Sequence, residues 1–119
     1  MRNITPWWET QSRNKYNAKA IIIDGIRFPS HAQGARYRTL RLMERAGEIA
    51  NLNPQPKSYP LVVNGVKIGR YTPDFEYDEG GAHVVEEYKS RGTVKARDYR
   101  LRKLLMLACH GIKIREVGL

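Results

Sequence analysis

The sequence predicts one mixed α/β domain in which a helix, three strands, a second helix and a closing strand follow one another behind a short N-terminal hairpin. Three observations predict it. Two stretches repeat apolar residues at helical spacing between start and stop signals. Runs of β-branched and aromatic residues lie between Asp-Gly, Asn-Gly and Gly-Gly turn signals, and a closing strand, Ile112 to Val117, follows the second helix. At 119 residues the chain is long enough to bury a single core without disulfides or structural metals.

Residues 1–17 are polar, interrupted by Pro6 and without periodicity, which marks them as a basic arm ahead of a domain spanning residues 18–119. Trp7 and Trp8 in that arm either stack on bases or cap an apolar surface. Ala18 to Ile23 and Ile26 to Phe28 flank Asp24-Gly25 and make the first hairpin. Pro29-Ser30 opens a helix running to about Ala46, with Ser30 and Gln33 as a capping box and Gly47 as its left-handed cap. Its expected buried stripe is Ala32, Ala35, Thr39, Leu42, Met43 and Ala46, which leaves Arg36, Arg38 and Arg41 outside and available to phosphates.

Ile49 to Leu52 is a short extended piece, and Pro54-Gln55-Pro56 excludes a helix after it. Tyr59 to Val63, Asn64-Gly65 and Val66 to Tyr71 make a hairpin that leads into the motif strand, read as running from Val66 to Tyr77. A turn centred on Glu79-Gly80 returns the chain as Ala82 to Lys89, which Val84 and Val85 mark as central because it is apolar on both faces. The polar segment Ser90 to Val94 connects to a helix from Lys95 to His110. Leu101, Leu104, Leu105 and Ala108 are its expected buried stripe, and Lys95, Arg97, Arg100 and Lys103 lie on its other sides.

Lys and Arg number 21 against 12 Asp and Glu, a formal charge of +9, which favours an anionic partner such as nucleic acid. Acidic residues nevertheless concentrate in one place, where Asp74, Glu76, Asp78, Glu79, Glu86 and Glu87 stand close together. Cys109 is alone and sits on an apolar helix side. With no signal-peptide pattern and no apolar run of membrane-spanning length, a reducing cytoplasm is the expected compartment. His31, His83 and His110 show no metal-ligand spacing, and there is no glycine-rich phosphate loop.

If Tyr77 pairs with Ala82, Asp74 lies opposite Val85, and the two-residue period of a strand puts Val85, Glu87 and Lys89 on the same face. Asp74 and Glu87 are then one diagonal step apart, with the Lys89 ammonium next to them. Two carboxylates and a cation in this arrangement suit a hard divalent ion and an attacking water. A surface ion-pair cluster is the competing explanation.

Pro73-Asp74 followed by Glu87-Tyr88-Lys89 resembles the signature of the PD-(D/E)xK nuclease superfamily. The stretches KYNAKAIIIDGIRFPSHAQGARY and GEIANLNPQPKSYPL resemble a family of small phage and prophage proteins of formerly unknown function, over roughly Lys15 to Val117. The run Glu87 to Arg91 is also similar to that of the archaeal Holliday-junction resolvases.

These resemblances imply a restriction-endonuclease-like αβββαβ core with a mixed central sheet flanked by helices. They further imply Mg²⁺, with Mn²⁺ able to stand in, held by Asp74, Glu87 and the Tyr88 carbonyl, and Lys89 beside it. Relatives carry a glutamate in the first turn of the first helix where this chain has Gln33, so Gln33 either supports the metal through its carbonyl or serves only the capping box. The implied function is a phage-encoded endonuclease of the bacterial cytoplasm that cuts branched DNA as a homodimer. Arg36, Arg38, Arg41, Ser90, Arg91, Lys95, Arg97 and Arg100 would contact the DNA. A catalytically silent DNA-binding module and a linear-duplex endonuclease are the alternatives.

Overall fold

The computed structural model describes residues 19–89 and 97–118, with backbone only for Arg97. The arm with Trp7 and Trp8, the linker residues Ser90, Arg91 and Lys95, and the Arg97 side chain lie outside the described residues. The fold is mixed α/β. Strands β1 (Ile21–Ile23) and β2 (Ile26–Phe28) precede helix α1 (His31–Arg45), and strands β3 (Ala50–Asn53), β4 (Tyr59–Val63), β5 (Val66–Tyr71), β6 (Phe75–Glu79) and β7 (Ala82–Lys89) follow it. Helix α2 (Arg97–His110) and strand β8 (Arg115–Gly118) complete the order. No helix among the described residues is long and apolar enough to cross a membrane.

The chain divides into two compact units within α1, between Arg36 and Tyr37. In the first, β1 and β2 pair antiparallel as the Asp24-Gly25 signal predicts. The hairpin lies so close to α1 that a Cβ on Gly34 would come within 2.8 Å of Ile21. Helix α1 starts as expected, with the Gln33 backbone N–H donating to Ser30 Oγ at 3.1 Å. It also ends as expected. Gly47 has φ 80° and the Glu48 N–H returns to the Met43 carbonyl, which satisfies carbonyls that the helix end leaves open.

The second unit holds a four-stranded sheet in the order β3-β6-β7-β8, antiparallel except for the parallel pair β7 and β8. Taking α1, the sheet strands and α2 in chain order gives α-β-β-β-α-β, as the sequence predicts. The membership of the strands differs from expectation. Val66 to Tyr77 is not one strand: Thr72, Pro73 and Asp74 separate β5 from β6, because proline has no N–H to give a ladder. Strand β5 pairs with β4 across Asn64-Gly65, as that turn signal predicts, but the two form a separate two-stranded sheet, and the short β3 takes the edge position beside β6.

The β6–β7 turn is also tighter than predicted. Glu79 pairs with Ala82 and Tyr77 with Val84, so the loop is Gly80-Gly81 alone, both residues at positive φ (59° and 82°). Two successive left-handed residues make the two-residue turn whose twist matches the strands, and a pair of glycines adopts it without strain. The predicted pairing of Tyr77 with Ala82 was therefore off by two residues. An even shift leaves every side chain on its predicted face.

Both helices bury a different face from the stripe expected for them. In α1, Tyr37 and Leu40 are buried, whereas Ala32, Ala35, Thr39, Leu42 and Ala46 are exposed. In α2, Tyr99 and Met106 are buried while Leu101, Leu104 and Ala108 are exposed, with Leu105 half-buried. In each helix the buried face is the one that carries its tyrosine, Tyr37 or Tyr99, whose apolar area exceeds that of a single leucine. Tyr99 and Met106 join Leu61, Tyr71, Val85 and Ile114 in one core cluster, so α2 packs on the β4–β5 hairpin and reaches β7. The fully buried Met106 contributes roughly 1.5–3 kcal/mol on its own.

Candidate active site

Continuing the β6–β7 register by one step past Phe75↔Glu86 sets Asp74 directly opposite Glu87. The strand period then places Asp74, Glu76 and Asp78 on the sheet face that also carries His83, Val85, Glu87 and Lys89. Phe75, Tyr77 and Glu86 occupy the other face, where Tyr77 donates to the fully buried Glu86 at 2.5 Å. Burial and this bond push the Tyr77 phenol up to about 12. As the apolar Val84-Val85 pair predicts, β7 lies between β6 and β8.

Asp74 occupies the point where Pro73 has ended the regular ladder. Its N–H donates to the Glu86 carbonyl at 3.2 Å, and its Oδ2 accepts the Tyr88 N–H at 2.8 Å. The backbone of β7 thus fixes the Asp74 carboxylate beside Glu87. Tyr71, at the end of β5, donates its hydroxyl to Glu87 Oε1.

The two carboxyl groups disturb one another. Glu87 is pushed up to about 8, by burial first and next by the negative charge of Asp74; a hydrogen bond between the two carboxyls acts in the same sense and the Tyr71 hydroxyl opposes it. Burial, followed by the Glu87 charge, drives the Tyr71 phenol far above its ordinary value. An acid pair held this way resists taking on its second negative charge, and a bound cation would relieve that resistance. Asp74, Glu87 and the Tyr88 carbonyl are oxygen donors of the kind that a hard divalent ion takes. Among the described residues, no group of three or more His, Cys, Asp or Glu is assembled for a metal ion.

Lys89 belongs to the same face but turns toward a residue that the sequence reading did not single out. Its Nζ lies 3.5 Å from Glu116 Oε2, on β8, which also accepts the Tyr99 hydroxyl at 2.6 Å, while Lys103 Nζ lies 3.0 Å from Glu116 Oε1. The Tyr99 bond, followed by Lys103 and Lys89, holds the Glu116 carboxyl below its ordinary range. In the parallel register Glu116 stands opposite Glu87. Asp74, Glu87 and Glu116 therefore form a row across neighbouring strands. Nothing in the local sequence around Glu116 signals this, since the row is created by the β7–β8 pairing.

Further along the same face, His83 lies between two carboxylates, with Nε2 2.6 Å from Glu76 and Nδ1 3.0 Å from Asp78. Glu76 also accepts the Tyr59 hydroxyl at 2.6 Å, and Asp78 accepts the Asn51 amide at 2.8 Å. His83 is raised above its usual value, chiefly by the Asp78 bond and then by Glu76.

The predicted phosphate contacts fall into several classes. Arg38 and Arg100 are exposed on α1 and α2, and Arg36 is half-buried. Arg41 is also half-buried and is paired with Glu44 at 2.6 Å. Gln33 lies in the first turn of α1 at the capping position that the sequence predicts. Cys109, half-buried near the end of α2, donates its thiol to the Val62 carbonyl at 3.2 Å.

Residues 13–117 match the family described as a protein of unknown function (DUF1064). The chain belongs to this family. The matched span of DUF1064 takes in the acid pair, Lys89 and Glu116. No curated protein and no solved structure matches the chain.

Proposed function

We propose that this DUF1064 protein is a magnesium-dependent endonuclease of the PD-(D/E)xK type, which hydrolyses phosphodiester bonds in DNA. Branched DNA such as a Holliday junction is the proposed substrate, in phage recombination or packaging within the bacterial cytoplasm. The observation that carries this reading is the Asp74–Glu87 pair, two facing carboxyls of which one is raised to about 8, with an ammonium on the next same-face position in a chain of net charge +9.

Hydrolysis adds a water oxygen to phosphorus and breaks one P–O ester bond. Asp74, Glu87 and the Tyr88 carbonyl would hold Mg²⁺, which would supply the Lewis acidity that makes water nucleophilic near neutral pH. The chain's own groups do the positioning. The Tyr88 N–H and the Tyr71 hydroxyl fix the orientations of the two carboxylates, and Lys89 orients the water or offsets the charge that builds on the phosphate. Exposed Arg38 and Arg100 add sequence-independent affinity. Cutting both strands of a junction symmetrically calls for two copies, hence a homodimer.

Asp74→Asn tests the reading on junction and linear DNA in Mg²⁺ and Mn²⁺. The substitution keeps the side chain's shape and removes a charge that repels phosphate, so DNA binding stays equal or tightens. Cleavage falls by at least about 10²-fold, roughly 2.7 kcal/mol of transition-state stabilisation. A wild type that binds DNA and cuts neither substrate sinks the nuclease reading and leaves a DNA-binding module in its place.

A further inference from the structure

Glu116 has no part in the proposed reaction, yet its carboxylate is held by three side chains, Tyr99, Lys103 and Lys89. Each of its oxygens faces a different lysine, and the oxygen nearest Lys89 also takes the Tyr99 hydroxyl. We infer that Glu116 is a positioning residue that holds the Lys89 ammonium beside the Asp74–Glu87 pair without letting it settle onto that pair. What the positioned Lys89 then does rests on the nuclease reading; that it is positioned does not.

Three features of the fold support this assignment. A lysine carries a flexible four-carbon stem and a compact charge, so left to itself it pairs with the nearest acid. For Lys89 the same-face neighbour on its own strand is Glu87, and a Lys89–Glu87 pair would occupy the place a cation would take. Glu116 offers a competing acid on the adjacent strand, opposite Glu87 in the β7–β8 register.

Glu116 is itself anchored. Tyr99 and Lys103 reach it from α2, at 2.6 and 3.0 Å, so its carboxylate is fixed from the helix as well as from its own strand. The Lys89 backbone is confined too. Gly118 pairs with Lys89, and a Cβ at Gly118 would lie 2.5 Å from the Lys89 carbonyl oxygen. Strand β8 thus constrains Lys89 at both ends, through Gly118 at the main chain and through Glu116 at the ammonium.

The test is Glu116→Gln, which keeps an oxygen acceptor for Tyr99 and removes the charge. The first readout needs no substrate: the ¹⁵N-relaxation order parameter of the Lys89 ammonium falls toward that of the exposed Lys67, while the thermal midpoint stays close to wild type. The second readout is kinetic. Loss of a positioned group lowers kcat by about 10²-fold with KM little changed. The double variant Lys89→Met/Glu116→Gln cuts no more slowly than Lys89→Met alone, because Glu116 acts through Lys89.

A Lys89 ammonium that stays equally ordered in Glu116→Gln overturns the inference, as do kinetic losses that multiply in the double variant. If the wild type cuts no DNA, the order parameter still decides the role of Glu116, and only the nuclease reading fails.

Discussion

Glu87 is where the chemistry of the site and the stability of the fold oppose each other. Its carboxyl titrates near 8 in the folded chain against an ordinary value of 4.5. Between those limits the folded state holds a proton that the unfolded state has lost, so stability falls as pH rises through this window. Above pH 8 the whole penalty is present. Glu87→Gln removes the titration and keeps the size, so its thermal midpoint overtakes that of wild type as pH goes from 5 to 8.5. Each kcal/mol recovered gives roughly 4–8 °C. Scanning calorimetry of the two proteins across this range checks it, and a constant difference in midpoint would contradict the burial of an ionised Glu87. A stabilised variant that no longer cuts would be the expected trade between a strained site and a stable fold.

At the scale of elements, the loop between β6 and β7 sets which carboxylates meet. Gly80 and Gly81 each occupy a left-handed conformation, and a side chain there costs roughly 1–2 kcal/mol per residue. Gly81→Ala should therefore lower the midpoint by several degrees. Replacing Gly80-Gly81 by Asn-Gly, which suits the same turn, should leave both stability and cleavage near wild type. An odd shift in register would send Asp74 and Glu87 to opposite faces, so the tight turn helps keep the two acids together.

For the whole molecule, the acid row lies in a chain whose formal charge is +9. If about six to ten phosphates are contacted, affinity for DNA should fall roughly 10³ to 10⁵-fold between 50 and 200 mM salt. Fluorescence anisotropy with labelled duplex measures this slope, and a flat response would assign the charge to another partner. Sedimentation at micromolar concentration, with and without junction DNA, should show a two-copy species. A monomer under both conditions would remove the symmetric-cut reading.

The sequence by itself determined the α-β-β-β-α-β order, two of the three hairpin turns to the residue and the third to within a register shift of two, both ends of α1 and the grouping of Asp74, Glu87 and Lys89 on one strand face. Each of these depends on local rules: turn chemistry, capping, and a side-chain period of two that an even error in register does not disturb. Only the tertiary structure decided which helix faces are buried, because each helix carries large apolar residues on more than one side and what it packs against selects between them: Leu40 is buried and Leu42 exposed. Pairing decided the rest. The break at Pro73 moved β5 out of the central sheet, and the parallel alignment of β8 on β7 brought Glu116 opposite Glu87. Glu116 lies 29 positions from Glu87 along the chain, 116 minus 87. A contact that long in sequence is fixed by which strands become neighbours, and no local pattern around Glu116 carries that information.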